Sequence, residues 1–324
     1  MRSAALLTAV SGVSARHTAA AQGAQAAEPG SEPPVIDELR LPGSRIELQY
    51  DPGFSTEARA LMRIWIESAA HTVAAYFGRF PLPEVEILML PEPNPGVHSG
   101  VAFAEPHPYL RMRVGRDTDV GRFRYDWVLV HEMVHLALPK LAPQHAWFHE
   151  GAATYVEAVA RARRGAVAPA QLWGGLALGM RRGQPFDGDL GLDHTPTWGR
   201  TYWGGAMFCL LADVQIRQRS QGRVGLQQAL QGVLAAGGNY AQSWPLQRVL
   251  AAADASVGQT SLAELYALMS DCPAPIDLEA LWADLGVIPR GFGFAALRSA
   301  APLVDLRRAI DGSAERSGDG GGGA

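Results

Sequence analysis

Residues 131–157 read HEMVHLALPKLAPQHAWFHEGAATYVE, a run that holds four histidines and three glutamates. The spacing of His131 and His135 decides its reading. On a helix, residues four apart project from one face about one turn from each other. Two neutral imidazoles so placed can take two corners of a tetrahedral Zn²⁺. Glu132, one residue round, cannot join the same ligand shell. It can lean over an open coordination position and hold a water there, the arrangement that metal-assisted hydrolysis requires. Random ordering of this composition gives about 0.01 such patterns per chain. The alternative is a capped or salt-bridged helix with incidental histidines, and a second feature is needed to separate the two.

Glu150 is that feature. Pro139 ends the first helical pattern, a short loop follows, and AWFHEGAATYVEAVA begins a second predicted helix that returns antiparallel to the first. Glu150, near its start, can reach the metal opposite the two histidines and complete a His₂Glu set with a fourth position left for water. One Zn²⁺ per chain is the expectation. Glu157, two turns further on the same face, is expected to accept the far N–H of a ligand imidazole and fix its tautomer; a solvated helix charge is the other reading. His145, His149 and His194 read as surface or loop histidines, and His98 and His107 have no partner at metal spacing. Asp126 and Arg124 are expected to serve the N-terminus of the first helix.

His131-Glu132-x-x-His135 followed by Trp147-Phe148-His149-Glu150-Gly151-Ala152-Ala153-Thr154-Tyr155-Val156-Glu157 resembles the gluzincin peptidases, thermolysin-like zinc enzymes that include the M1 and M61 aminopeptidases. The resemblance implies His131, His135 and Glu150 as zinc ligands, Glu132 as general base and Glu157 as a supporting carboxylate. Thr201-Tyr202-Trp203-Gly204-Gly205-Ala206-Met207-Phe208, continuing as CLLADVQIR, is similar to the Tyr-x-Lys-Gly helix start of those families, most of all in M61. By that likeness Tyr202 hydrogen-bonds the developing oxyanion; an aromatic anchor at a helix start is the other reading. The chain also departs from the pattern. Gly204 stands where the family has lysine, the loop between His135 and Glu150 is shorter than in M1 enzymes, and no Gly-x-Met-Glu-Asn element precedes the motif. GVAFAEPHPYLRMRV, with Arg111 and Arg113, stands in its place. The likeness covers roughly residues 125–215. It implies a zinc-dependent peptidase acting on a peptide or protein, with endo- or aminopeptidase action open. A non-catalytic binding module of the same fold and a zinc hydrolase with a non-peptide substrate are the alternatives.

Outside this block the sequence predicts an α+β chain: a small N-terminal mixed sheet with a packed helix, a mainly helical thermolysin-like zinc catalytic region, and C-terminal helices. Residues 1–34 read as leader and linker, closed by EPGSEPP. Residues 35–116 read as the sheet subdomain. IELQY (46–50), VEILML (85–90), GVAFA (100–104) and YLRMRV (109–114) are its strands, and Ser55 caps a helix to about Phe77. Either 100–104 or 109–114 could serve as an edge for an extended peptide. Residues 117–220 form the zinc-binding helical region, 221–311 a C-terminal helical region, and 312–324 a Gly-rich tail that composition makes disordered.

The composition, 48% hydrophobic and 19% charged with a net charge of −4, is that of a chain with a large core and no basic stripe, which excludes nucleic acid as a partner. No segment has the roughly 18 consecutive apolar residues that a membrane span needs. The weakly apolar AALLTAVSGVSA, ahead of Ala24-Gln25-Ala26, is read as an export signal that gives a periplasmic or secreted protein; a disordered leader is the other reading. Cys209 and Cys272 read as two buried free thiols in helical surroundings, one disulfide being the alternative. The oligomeric state is left open.

Overall fold

Burial alternates residue by residue along 45–50, 84–89 and 109–114, and a strand with that pattern turns one face to the core. A computed structural model of the protein describes residues 33–314; the expected export signal and the tail beyond Ala314 lie outside the described residues. Five strands form one mixed sheet: β1 (Val35–Leu41), β2 (Ser44–Tyr50), β3 (Glu84–Glu92), β4 (Val97–Phe103) and β5 (Tyr109–Gly115), in spatial order β1-β2-β3-β5-β4. β1 and β2 form an antiparallel hairpin, β2 runs parallel to β3 and β3 to β5, and β4 turns back antiparallel along β5. Helix α1 (Thr56–Phe77) makes the crossover between the parallel strands β2 and β3. The Ser55 hydroxyl accepts from the Ala58 N–H at its start, and Gly78, at φ 78°, closes it. Ile66, Ala70, Val73 and Phe77, on one helix face, are buried, as are Ile46, Leu48, Val85, Ile87, Met89, Leu110, Met112 and Val114 of the sheet.

Two expectations change here. β1 has no counterpart in the sequence reading because it is an outer strand: only Leu39 and Leu41 are buried, so its alternation is weak. β5 lies inside the sheet between β3 and β4, so 109–114 offers no free edge. The edge is β4.

The chain then becomes helical: α2 (Val120–Tyr125), α3 (Val128–His135), α4 (Ala146–Arg163), α5 (Pro169–Met180), α6 (Gly205–Ser220), α7 (Leu226–Ala235), α8 (Leu246–Val257), α9 (Ser261–Met269), α10 (Leu278–Leu285) and α11 (Val304–Asp311). The fold is α+β, as the sequence predicts. The C-terminal region is not helical throughout. Val287–Gly291 (β6) and Phe294–Leu297 (β7) form an antiparallel hairpin, because Gly291, Phe292 and Gly293 all hold positive φ and reverse the chain. Cys209 is buried in α6, but Cys272 is exposed beyond the end of α9; both thiols are free. No helix among the described residues is long and apolar enough to cross a membrane.

Two packing features set up the site. Every residue from Leu129 to Leu138 is buried, so α3 has no solvent face. Polar groups on such a helix require partners or a purpose. Helices α4 and α6 cross backbone to backbone at Gly151 and Gly205. A Cβ on Gly151 would lie 2.2 Å from the Gly205 carbonyl carbon, and one on Gly205 would lie 2.0 Å from the Trp147 oxygen. Only glycine permits that approach.

Candidate metal centre

His131 and His135 project from the buried helix α3. The two carboxylate oxygens of Asp126 accept from the Val128 and Leu129 N–H groups at the start of that helix. This is the role expected of Asp126, whereas Arg124 lies on the exposed side of α2. Glu150 arrives from the second turn of α4. Its Oε2 lies 3.2 Å from His131 Nε2 and 3.6 Å from His135 Nε2. One donor atom from each of the three residues falls within 4.8 Å of the others. The pairing predicted from spacing is thus assembled in space.

The donor set fits a divalent ion in its chemistry as well as its spacing. Burial drives the His135 imidazole well below its ordinary pKa and keeps it neutral. Burial pushes the Glu150 carboxyl upward, but the neighbouring His135 and His131 outweigh it and hold the acid down at about 2. The result is one anionic oxygen and two imidazole nitrogens around one point. For His131, burial opposes protonation, while the Glu150 hydrogen bond and the charges of Glu132 and Glu150 raise its pKa. The outer Nδ1 atoms of both histidines are buried without a protein partner.

Glu132 sits beside this cluster against the edge strand. Gly100 of β4 makes room for it, since a Cβ there would lie 2.6 Å from the Glu132 Cγ. Burial pushes the Glu132 carboxyl up to about 7, the nearby His131 lowering it and Glu150 raising it. The Ala102 N–H donates toward its carboxylate. The Ala102 carbonyl accepts from the Tyr240 hydroxyl at 3.3 Å. Ala102 therefore turns its backbone polar groups outward from the sheet, and by strand alternation Gly100 does the same.

Tyr202 lies in a π-helical segment, Gly199–Gly204, that runs into α6. Such segments are rare and concentrate at functional sites. The Tyr202 ring stacks on His131 at 6.2 Å, and burial together with the Glu150 carboxylate raises its phenol well above the ordinary range. The segment is braced from behind by the buried ion pair of Arg200 Nε and Asp189 Oδ2, 2.7 Å apart, and by an Arg200 bond to the Gly183 carbonyl. Gly204, which departs from the resembled pattern, faces Leu192, Arg200 and Gly183, and its absent Cβ would lie 3.0 Å from Leu192. That point has no space for a long side chain without displacing Leu192. Trp127 packs edge-on to His131 and Trp198 stacks on Tyr202; they are 43% and 40% exposed, so the mouth of the site has an aromatic rim.

Three expectations do not hold. Glu157 does not hydrogen-bond His131; it pairs with Arg161 one turn along α4 at 3.3 Å. It is nonetheless enclosed and close enough to His131 to raise the imidazole's pKa. His145 is buried, not a surface residue: its Nδ1 lies 3.0 Å from Asp193 Oδ1, and the Trp147 indole N–H and Tyr266 hydroxyl donate to the same carboxylate. This knot fixes the start of α4, four residues ahead of Glu150. His149 is not a loop residue either. Its ring lies flat on His135 at 4.6 Å and 8°, and its Nε2 is buried without a partner. Burial lowers its pKa to about 4. The sequence signal that could have found it is its place in a helix directly before a proposed ligand. His194 is exposed on Asp271, and His98 and His107 are exposed away from the cluster, as expected.

No protein-family model and no curated protein matches the sequence. Solved structures do match in fold. An aminopeptidase N family protein from Idiomarina loihiensis matches over 84% of this chain and 48% of its own, at 13% identity and TM-score 0.51. An M1 zinc metallopeptidase from Deinococcus radiodurans matches over 75% and 53%, at 15% and 0.49. An aminopeptidase A from Legionella pneumophila, solved with aspartic acid, matches over 74% and 28%, at 14% and 0.48. This chain thus spans about half the length of the first of these proteins, and the likeness is one of fold.

Proposed function

We propose that the protein is a zinc-dependent hydrolase of peptide bonds. One observation carries the reading: a His131–His135–Glu150 donor set lies inside the fold, with the unliganded carboxylate of Glu132 next to it and an open sheet edge alongside. A structural metal would need no such carboxylate. His131 Nε2, His135 Nε2 and the Glu150 carboxylate would hold the ion, which when bound lowers the pKa of water and polarises a carbonyl. An extended peptide adds along β4 and bonds to the outward backbone groups of Gly100. Glu132 takes the proton of the attacking water and passes it to the departing amine. Its burial, which holds the carboxyl near 7, suits it to exchange a proton in both directions near neutral pH. Tyr202, kept protonated, donates a hydrogen bond to the carbonyl oxygen as charge grows on it.

The ligand set is tested by zinc titration of the wild type and of Glu150→Ala. One zinc per chain, with binding weakened at least a hundredfold in the variant, is expected. Undiminished binding in Glu150→Ala removes Glu150 from the set. Cleavage of a peptide library by the zinc-loaded protein separates a peptidase from a hydrolase of other bonds.

A further inference from the structure

The hairpin β6–β7 carries the most exposed large apolar side chain among the described residues. Phe292, at its tip, is 89% exposed, and Phe294 beside it is 49% exposed. Phe292 also holds φ 51°, in the left-handed region that bulky residues avoid. A strained, exposed aromatic needs a reason when Asn or Gly would occupy the same turn at lower cost. The tip is not loose, because its base is locked: a Cβ on Gly174 of α5 would lie 2.3–2.5 Å from the backbone of Phe294 and Gly293. That contact presents Phe292 outward on a rigid support.

Basic groups surround it. Arg290 precedes the turn, and Arg298 follows β7; Arg298 and Arg181 line one cleft of about 300 Å³ together with Pro289, Trp282 and Glu279. All three arginines are exposed, and none is in an ion pair among the described residues. The Trp282 indole N–H is buried with no acceptor. Glu279 is the one carboxylate lining this cleft against two arginines, and Asp277 joins Arg181 and Glu279 in the adjoining cleft. Exposed phenylalanine at a tip, with unpaired guanidinium groups behind it, is the composition of a surface that meets an anionic lipid interface: rings enter the acyl boundary while cations stay with the headgroups.

We propose that the β6–β7 hairpin docks the protein peripherally on an anionic phospholipid surface, with Phe292 and Phe294 inserted and Arg181, Arg290 and Arg298 at the level of the headgroup phosphates. The test is co-sedimentation of the full-length protein with vesicles of phosphatidylcholine alone or with 30 mol% phosphatidylglycerol, at about 0.05 and 0.5 M salt. Binding to the anionic vesicles is expected, with loss on phosphatidylcholine alone and at high salt. Phe292→Ser and Arg298→Gln, both at exposed side chains, should each lower the partition coefficient about fivefold or more, and zinc content should be unchanged. Three results overturn the proposal: no binding to anionic vesicles, undiminished binding by both variants, or a wild-type dimer in sedimentation velocity that Phe292→Ser dissolves. The last would make the tip a contact between copies of the chain. None of these outcomes depends on the proposed peptidase activity.

Discussion

His149 illustrates how a residue's place in the fold overrides its appearance in the sequence. Between His145 and Glu150 it looks like one more loop histidine, but the tight α4–α6 crossing draws its helix inward and lays its ring on His135. With a folded pKa of about 4 against an ordinary 6.5, the unfolded chain binds more protons between those values. Stability therefore rises with pH across that window; it is complete above about 6.5 and is lost as pH falls toward 4. His149→Gln should remove roughly 1–3 kcal/mol of that dependence. Urea unfolding of metal-free protein at pH 7 and pH 5 measures it, and equal pH dependence in the two proteins would refute the assignment. Tyr202 is tested by deletion of its hydroxyl alone. Tyr202→Phe keeps the ring stacked on His131, so loss of a transition-state hydrogen bond should lower kcat about a hundredfold with KM nearly unchanged. A variant as fast as wild type would leave Tyr202 as an aromatic anchor.

At the level of elements, local patterns in the sequence were legible where period and burial agreed. The alternating strands β2 and β5, the mostly apolar strand β3, the Ser55-capped α1 and the i, i+4 histidines of α3 could all be placed. Features that depend on distant partners could not. β1 is an outer strand with little to bury, and the β6–β7 hairpin depends on Gly174 of a helix more than a hundred residues earlier. Sheet order hid which strand forms the edge, because β4 folds back outside β5. Glu157 was misjudged for a similar reason: Arg161, one turn along its own helix, competes for its carboxylate. The β4 edge yields a prediction of its own. Gly100→Ala puts a methyl group 2.6 Å from the Glu132 Cγ and 2.9 Å from Met112 Sδ. Overpacking of this kind costs about 1–3 kcal/mol. The displaced Glu132 should lower kcat by more than tenfold while the three metal ligands keep their zinc. Wild-type turnover by Gly100→Ala would show that the base is not held against this strand.

Across the whole molecule, the sheet and the helices meet where the chemistry is proposed. β4 comes from the sheet, α3 from the helix buried beside it, and α4 and the π-helical segment from the helical half. Glu150 and Tyr202 share a neighbourhood only because Gly151 and Gly205 let two helices touch. The fold likeness to the aminopeptidase N family protein from Idiomarina loihiensis extends over 84% of this chain but only 48% of that longer protein. The proposed activity therefore rests on this chain's own residues, and above all on the proposal that Glu132 is a base and not a ligand. The most direct measurement is the peptide-hydrolysis rate of zinc-loaded Glu132→Gln beside wild type, with metal content determined on the same samples. Glutamine keeps the size and a hydrogen bond but cannot take a proton, so full zinc occupancy with a rate lower by at least a thousandfold is expected. Zinc-loaded Glu132→Gln turning over peptide at the wild-type rate would contradict the account.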